Sequence, residues 1–123
     1  MKSYGKELIL DLHDCDASLF TREKIELYFV KLCELIDMER CDLHFWDDLD
    51  VPEEEQQTEA HTKGTSAVQF ILTSNITIHT LDELGKVFVN IFSCKDFDAE
   101  VARNFTKEFF EGRIVSCHVI PRS

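Results

Sequence analysis

The chain has 123 residues, near the commonest domain size, so a single domain spanning residues 1–123 is expected. Its 13 basic and 24 acidic residues give a net charge of −11, which disfavours a nucleic-acid backbone or an anionic membrane as the partner. No run of about 18 apolar residues occurs, and the N-terminus lacks the apolar segment of a signal peptide. We therefore expect a soluble, cytoplasmic protein.

The cysteines form no recognisable framework. They number five, none belongs to a C-x-x-C pair, and no secretion signal precedes them, so neither disulfides nor a zinc site is indicated. Cys41 and His44 have a spacing that could begin a metal site, but no second pair of ligands follows. We expect no metal.

The first part of the chain predicts a strand, a helix and a second strand. Residues 6–13 alternate leucine with other residues, the period-two pattern of a strand with one buried face. Thr21 is a suitable N-cap for a helix that ends near Met38, and residues 41–46 are apolar enough for a strand. The helix has one apolar stripe, formed by Ile25, Phe29, Leu32 and Ile36.

The periodicity stops in the acidic segment 47–63, which we call the acidic loop. It contains a proline and no apolar face, so it is predicted to be a long, mobile surface loop rather than a linker between domains. Its charge could attract a cationic substrate or be simply solvated, and charge runs favour the second interpretation.

The second part of the chain predicts several strands, a helix and a last strand. The helix begins with Asp98 as its N-cap and stops at Gly112. With only two helices, the order of elements indicates an α+β fold, a two-layer sandwich of a mainly antiparallel sheet with both helices on one face. The open face would need a partner. The predicted strands cover residues 66–72, 76–80, 87–92 and 113–120.

Ser74 is followed by His79 five residues later and by Cys94 twenty residues later, beside strand-like sequence. A serine hydrolase is disfavoured, because there is no G-x-S-x-G elbow, no acid to orient His79 and no sign of a strained turn that would expose the hydroxyl. On these residues alone, structural roles are the better explanation. Cys94 ends a predicted strand, where its side chain can reach a cleft.

Five short motifs follow one another between residues 64 and 94, with Leu8-Ile9-Leu10-Asp11-Leu12 upstream. They are Gly64-Thr65-Ser66, Thr73-Ser74-Asn75, Ile78-His79-Thr80, Asp82-Glu83 and Phe92-Ser93-Cys94. The chain resembles the small prokaryotic S-adenosylmethionine decarboxylase proenzymes in these motifs, and the similarity extends from Gly5 to Pro121. In that family one serine becomes the prosthetic group, a histidine follows five positions later, a cysteine twenty positions later, and a second serine stands eight positions earlier; Ser74, His79, Cys94 and Ser66 match.

The resemblance implies a precursor that cuts its own backbone between Thr73 and Ser74. The products would be a β chain of residues 1–73 and an α chain of residues 74–123, which begins with a pyruvoyl group made from Ser74. His79 would be the proton acceptor in the β-elimination, and Ser66 would assist the acyl shift by hydrogen bonding.

For the mature enzyme, the resemblance implies a pyruvoyl ketone that forms a Schiff base with S-adenosylmethionine, with Cys94 as the proton donor after carbon dioxide leaves. The product would be the aminopropyl donor for spermidine biosynthesis. Glu83 matches an acidic position of the family, and Phe45 or Trp46 is a candidate to stack on the substrate. A homodimer with two-fold symmetry and active sites at the interface is implied.

The chain also departs from the family pattern. Bacterial members usually have Glu-Ser-His where this chain has Thr73-Ser74-Asn75, and Thr-Trp-Pro-Glu where it has Thr80-Leu81-Asp82-Glu83; the acidic loop is longer as well. Two alternatives therefore stay open. One is a decarboxylase of the same mechanism that acts on arginine or ornithine, and the other is an uncut, non-catalytic relative that serves as a binding or regulatory subunit.

Overall fold

The computed structural model describes residues 3–123. Met1 and Lys2, which belong to the predicted β chain and the predicted leaderless N-terminus, lie outside the described residues. Neither α-helix of residues 3–123 is long and apolar enough to cross a membrane. The elements in chain order are β1 Gly5–His13, α1 Arg22–Leu35, β2 Arg40–Trp46, β3 Gly64–Ile71, β4 Ser74–Leu81, β5 Lys86–Ser93, α2 Ala99–Phe110 and β6 Arg113–Arg122.

The strands form one six-stranded sheet in the order β2-β3-β4-β5-β1-β6, and every neighbouring pair is antiparallel. Alternate residues of the central strands share one hydrophobic core with both helices, so the helices cover one face. The predicted α+β two-layer sandwich is confirmed. Residues that represent this core are Leu8, Leu10, Ile25, Phe29, Ile76, Ile78, Val89, Ile91 and Phe110.

Helix α1 begins as predicted and ends earlier than predicted. The Thr21 hydroxyl accepts a hydrogen bond from the backbone N–H of Lys24, and the predicted apolar stripe is buried. The helix ends at Leu35 rather than near Met38, because Asp37 adopts a left-handed conformation with φ of 58°. The N–H of Met38 then donates to the carbonyl of Cys33, which closes the helix end.

Helix α2 lies beside α1 across an aromatic cluster. The Tyr28 and Phe110 rings are 4.9 Å apart, and the Tyr28 hydroxyl lies 2.7 Å from the Thr106 hydroxyl. Thr106 is fully buried and also donates to the carbonyl of Ala102. A polar residue on the buried side of α2 was not predicted; its hydrogen bonds remove the cost of burying it.

The turn between β3 and β4 has only two residues, Leu72 and Thr73, because Ile71 pairs directly with Ser74. Strand β4 therefore begins at Ser74, two residues before the predicted start. Thr73 has φ of 57°, and it is the one β-branched residue among the non-glycine residues with positive φ in the described part of the chain. A β-branched side chain is strongly disfavoured in this region, so the backbone is strained immediately before Ser74.

No helix of residues 3–123 covers the second face of the sheet, which we call the open face. It carries apolar and aromatic groups as well as polar ones, and Trp46 is 82% exposed. The acidic loop leaves this sheet after β2, contains a one-turn 3-10 helix at Glu53–Glu55, and is tied to α1 by the two hydrogen bonds between Arg22 and Asp47. The open face thus remains available to a partner.

Candidate active site

Ser74 lies at the end of the sheet where β4 begins and β5 ends. Its side chain is 7% exposed and lies on the helix-covered side, like those of Ile76 and Ile78. Asn75 pairs with Phe92, so the residues that follow β5 are held next to Ser74. The Ser74 Oγ accepts a hydrogen bond from the backbone N–H of Cys94 at 3.1 Å.

Cys94 directly follows β5, as predicted, and its thiol contacts the turn that precedes Ser74. The sulfur lies 2.9 Å from the Thr73 Oγ1 and 3.9 Å from the Ser74 Oγ. Hydrogen bonds from Thr73, then Ser74, and a smaller contribution from Tyr4 hold the pKa of the Cys94 thiol below its usual value. Burial instead raises the pKa of both Cys15 and Cys33 to about 11. Cys94 is therefore the acidic thiol of these three.

The predicted cleavage site coincides with the strained turn. Thr73 is exposed, and its hydroxyl lies 2.7 Å from the carbonyl of Leu72, to which it donates. The peptide bond between Thr73 and Ser74 follows a residue in the left-handed region. Sequence reasoning found no strained turn here, because threonine carries no signal for positive φ of the kind that glycine or asparagine provides.

Ser66 and His79 form a second pair at the opposite end of β4. They are direct partners in the register between β3 and β4, and the Ser66 Oγ lies 2.7 Å from the His79 Nδ1. His79 is exposed on the open face, whereas Ser74 lies on the helix-covered side. His79 stands five positions after Ser74 along the extended strand, a distance of about 17 Å. One chain therefore brings the four residues together as two pairs and not as one cluster.

The candidate substrate-binding residues Phe45, Trp46 and Glu83 also lie in different parts of the structure. Phe45 packs against the core beneath the Arg22 guanidinium, which lies 5.4 Å from its ring centroid. Trp46 points to the open face and lines a cavity of about 380 Å³ together with Ser66 and His79. Glu83 is exposed in the turn between β4 and β5, at the His79 end of the sheet.

Two cavities meet at Cys94. One, of about 380 Å³, is lined by Met38, Thr73 and Lys95 among others; the second, of about 510 Å³, is lined by Tyr4, Lys6 and Val119 among others. Cys94 lines both. A ligand that enters from either side therefore meets the thiol.

Tyr4 is the residue of this site that the sequence did not reveal. Its ring stacks on that of Phe92, with centroids 6.5 Å apart and planes 18° apart. A single aromatic residue before the first strand carries no sequence signal of a site, and only the pairing of β1 with β5 places it beside Cys94.

Charged groups around Cys94 are paired with one another. Lys95 contacts Asp37 at 2.9 Å, and Lys6 contacts Asp96 at 2.8 Å. Within residues 3–123, no group of three or more histidine, cysteine or acidic side chains is arranged to hold a metal ion. The chemistry available at Ser74 is that of hydroxyls, a thiol and backbone amides.

A protein-family model described as S-adenosylmethionine decarboxylase matches residues 6–123. The chain belongs to the S-adenosylmethionine decarboxylase family. The match covers the pair Ser74 and Cys94 and the pair Ser66 and His79. It also covers both helices and all six strands apart from the first residue of β1. The resemblance noted in the sequence is thereby confirmed.

The chain is similar to proenzymes of this family from two bacterial genera. The S-adenosylmethionine decarboxylase proenzyme of Acidithiobacillus ferrooxidans (strain ATCC 53993 / BNL-5-31) is 28% identical over 119 residues, which cover 94% of this chain and 80% of that protein. The S-adenosylmethionine decarboxylase proenzyme of Thermoanaerobacter sp. (strain X514) is 28% identical over 97 residues, which cover 78% of this chain and 68% of that protein.

A solved structure has the same fold. The crystal structure of the adenosylmethionine decarboxylase from Aquifex aeolicus matches with a TM-score of 0.78 and 21% sequence identity, over 100% of this chain and 93% of that one. This chain therefore has the fold of that structure.

Proposed function

We propose that this chain is a self-processing decarboxylase of S-adenosylmethionine whose pyruvoyl group is made from Ser74. One observation carries the proposal. In a chain of this family, the Ser74 hydroxyl and an acidic Cys94 thiol meet at a strained turn, next to the peptide bond that would be cut. The matches of Ser66 and His79 in spacing add support.

Processing needs the Ser74 Oγ to attack the carbonyl carbon of Thr73, so that the amide becomes an ester. A base then removes the Cα proton of Ser74, and the Thr73 carboxylate leaves from Cβ. Water completes the conversion to a ketone and releases ammonia. The left-handed backbone of Thr73 favours the first step, because replacing the amide by a more flexible ester at this point relieves the strain.

The groups beside position 74 fit a pyruvoyl group. Its ketone oxygen would stand on Cα of residue 74, because Oγ leaves with the Thr73 carboxylate and Cβ remains as a methyl group. The Cys94 N–H and thiol lie 3.1 Å and 3.9 Å from Ser74 Oγ, so both lie on the side-chain side of position 74. When present, the ketone supplies an acceptor for the electrons left behind as carbon dioxide departs from an α-amino acid, and the chain supplies a proton donor beside it.

Cys94 is assigned the return of a proton to the α-carbon of the substrate. A thiol suits this task when its pKa is brought toward neutrality, and the hydroxyl of Thr73 lowers it. In the uncut chain the Thr73 Oγ1 lies 2.9 Å from the Cys94 sulfur.

The separation of the two residue pairs supports a homodimer. With Ser66 and His79 about 17 Å from Ser74, one chain does not supply the proton acceptor at its own cleavage site. A two-fold axis between two open faces places the His79 end of one copy over the Ser74 end of the other. In such a dimer His79 of the partner subunit serves Ser74, and Trp46 comes near the same site.

The proposed substrate is a sulfonium cation with an adenine ring. The net charge of −11 favours the approach of a cation, and an exposed Trp46 offers the aromatic face that a cation or a purine prefers. The product would be the aminopropyl donor of spermidine biosynthesis in the cytoplasm. No metal has a part in this scheme.

The function is tested by release of labelled carbon dioxide from carboxyl-labelled S-adenosylmethionine by the purified protein. Labelled arginine and ornithine are run in parallel, and the Ser74→Ala variant is the matched control. We expect release from S-adenosylmethionine alone. Release from arginine or ornithine only would show that the protein decarboxylates that amino acid instead of S-adenosylmethionine. No release from any of the three would reject the proposal that the protein is a decarboxylase.

A further inference from the structure

The second cavity at Cys94 joins the thiol to the start of β1. It has a volume of about 510 Å³, and its lining includes Tyr4, Gly5 and Cys94. Gly5 allows the close contact between these segments. A Cβ placed on Gly5 would lie 2.0 Å from the carbonyl oxygen of Ser93 and 2.8 Å from the Cα of Cys94. The backbone before β1 therefore runs directly against Cys94.

Tyr4 is held beside Cys94 by contacts that do not involve the cleavage site. Its ring is 60% exposed yet stacks on Phe92, the β5 residue two positions before Cys94. Arg122 covers the Phe92 ring at 5.3 Å and pairs with Glu7 at 2.7 Å. Tyr4 lines the same cavity as Cys94, and after Thr73 and Ser74 its phenol makes a smaller contribution to lowering the pKa of the Cys94 thiol.

The other two hydroxyls on the thiol depend on the bond between residues 73 and 74. Under the proposed function, processing converts the Ser74 side chain and removes its hydroxyl. It also turns Thr73 into a free chain end, which loosens the 2.9 Å contact between its hydroxyl and the sulfur. Tyr4, in contrast, is held by stacking on Phe92, a contact that does not involve the bond that is cut.

We propose that Tyr4 is a positioning residue for Cys94 in the processed protein, where its phenol, held by stacking on Phe92, donates a hydrogen bond to the thiolate and orients the thiol toward the cavity. The role of Tyr4 in turnover rests on the proposed function, since it presupposes that Cys94 is the proton donor. After Cys94 gives its proton to the α-carbon of the substrate, the phenol O–H stabilises the negative sulfur without itself losing a proton.

Several charged groups also face Cys94 and bear on its titration. Lys6 and Asp96 line the Tyr4 cavity, and Asp37, Glu39 and Lys95 line the Thr73 cavity. Lys6 pairs with Asp96 and Lys95 with Asp37, so each cation is matched by a carboxylate. Substitution of Tyr4 by phenylalanine leaves all of these charges in place.

The test measures the rate at which iodoacetamide alkylates Cys94 as a function of pH, with the adduct located by peptide mass analysis. Tyr4→Phe is made in the full chain and in a Ser74→Ala chain, which mimics loss of the serine hydroxyl. We expect the Tyr4→Phe substitution to move the alkylation profile to higher pH and to slow the reaction near pH 7 by roughly threefold to tenfold. The shift should be larger in the full chain once it is cut than in the uncut Ser74→Ala chain, which keeps the contact of Thr73 with the sulfur.

Tyr28→Phe is the matched control, because it removes the phenol of the other tyrosine, which is buried against Thr106. It should leave the Cys94 profile unchanged, as should alkylation at the exposed Cys41 and Cys117 in every variant. An unchanged Cys94 profile in Tyr4→Phe would overturn the proposal. Alkylation does not depend on decarboxylation, so a shifted profile in a chain that releases no carbon dioxide would reject the proposed function alone.

Discussion

The side chains of Thr73 and Cys94 meet at 2.9 Å, twenty-one residues apart in the chain. Thr73 is the residue before the proposed cut, and Cys94 is the proposed proton donor of turnover. The contact therefore joins the maturation of the protein to its catalysis at a single turn. Substitutions at Thr73 and Cys94 should therefore separate the effects on processing from the effects on turnover.

Replacement of Cys94 by alanine should permit the cut and impair turnover. The Ser74 hydroxyl keeps its access to the Thr73 carbonyl, whereas loss of a proton donor typically costs 10²-fold to 10⁴-fold in rate, so we expect a fall in kcat of roughly 10²-fold or more. Intact mass and carbon dioxide release measure the two effects. Cys117→Ala, an exposed strand cysteine, is the control and should match the parent. A Cys94→Ala protein as active as the parent would exclude Cys94 as the donor.

Relief of the backbone strain at Thr73 should slow processing. Glycine accepts a φ of 57° at little cost, so Thr73→Gly should raise the free energy of unfolding of an uncut Ser74→Ala chain by about 1 kcal/mol. In a chain with Ser74 intact, the cut should then be roughly fivefold slower. Urea unfolding and time-resolved gel analysis measure these quantities.

Thr73→Val separates strain from the hydroxyl, since valine keeps the β-branch and lacks the oxygen that contacts Cys94. It should retain the rate of the parent more closely than Thr73→Gly does. Equal rates of cutting in the glycine and valine variants would show that backbone strain at residue 73 does not speed processing.

A shared site between two copies predicts complementation. A His79→Ala chain should remain largely uncut alone, because its own proton acceptor is missing from both sites of the dimer. Co-expressed with a differently tagged Ser74→Ala chain, it should be cut, because the Ser74→Ala copy supplies His79 of the partner subunit. Mass analysis of each tagged chain reads the outcome. A His79→Ala chain that stays uncut in purified mixed dimers, or the absence of mixed dimers, would contradict the shared site.

The two neighbouring aromatic residues of β2 should behave differently, because they point to opposite faces. Trp46→Ala should raise KM for the substrate by up to about tenfold with little change in kcat, as expected for loss of an aromatic stacking surface. Phe45→Leu should leave KM unchanged and lower the free energy of unfolding by about 1 kcal/mol, since Phe45 packs on the core. Steady-state kinetics and urea unfolding distinguish them; the reverse pattern would exchange their roles.

Much of the fold follows from local pattern. The leucine alternation of β1 and the apolar stripe of α1 predict their elements because each has one buried face and a period that identifies it. The end of α1 could not be predicted, because a left-handed Asp37 depends on the hydrogen bond that Met38 makes to Cys33. The burial of Thr106 likewise depends on a partner in the other helix.

For the site, the sequence revealed only the spacing of the candidate residues along the chain, not their positions relative to one another. Ser74 and Cys94 are twenty residues apart, and the register of β4 with β5 makes them neighbours. The same regular strand keeps His79 away from Ser74, which no motif reveals. Tyr4 reaches Cys94 through the pairing of β1 with β5, a contact between segments that lie far apart in the sequence. Long-range register, rather than composition, decides these relationships.

The proposed self-processing depends most directly on the bond between Thr73 and Ser74. The intact mass of the purified protein, measured after prolonged incubation with Ser74→Ala as the uncut reference, tests it. We predict two fragments, residues 1–73 and residues 74–123, with the second lighter than a serine-terminated fragment by the mass of one ammonia. A single full-length species that persists, or a second fragment that retains serine at its start, would contradict the conversion of Ser74 into a pyruvoyl group.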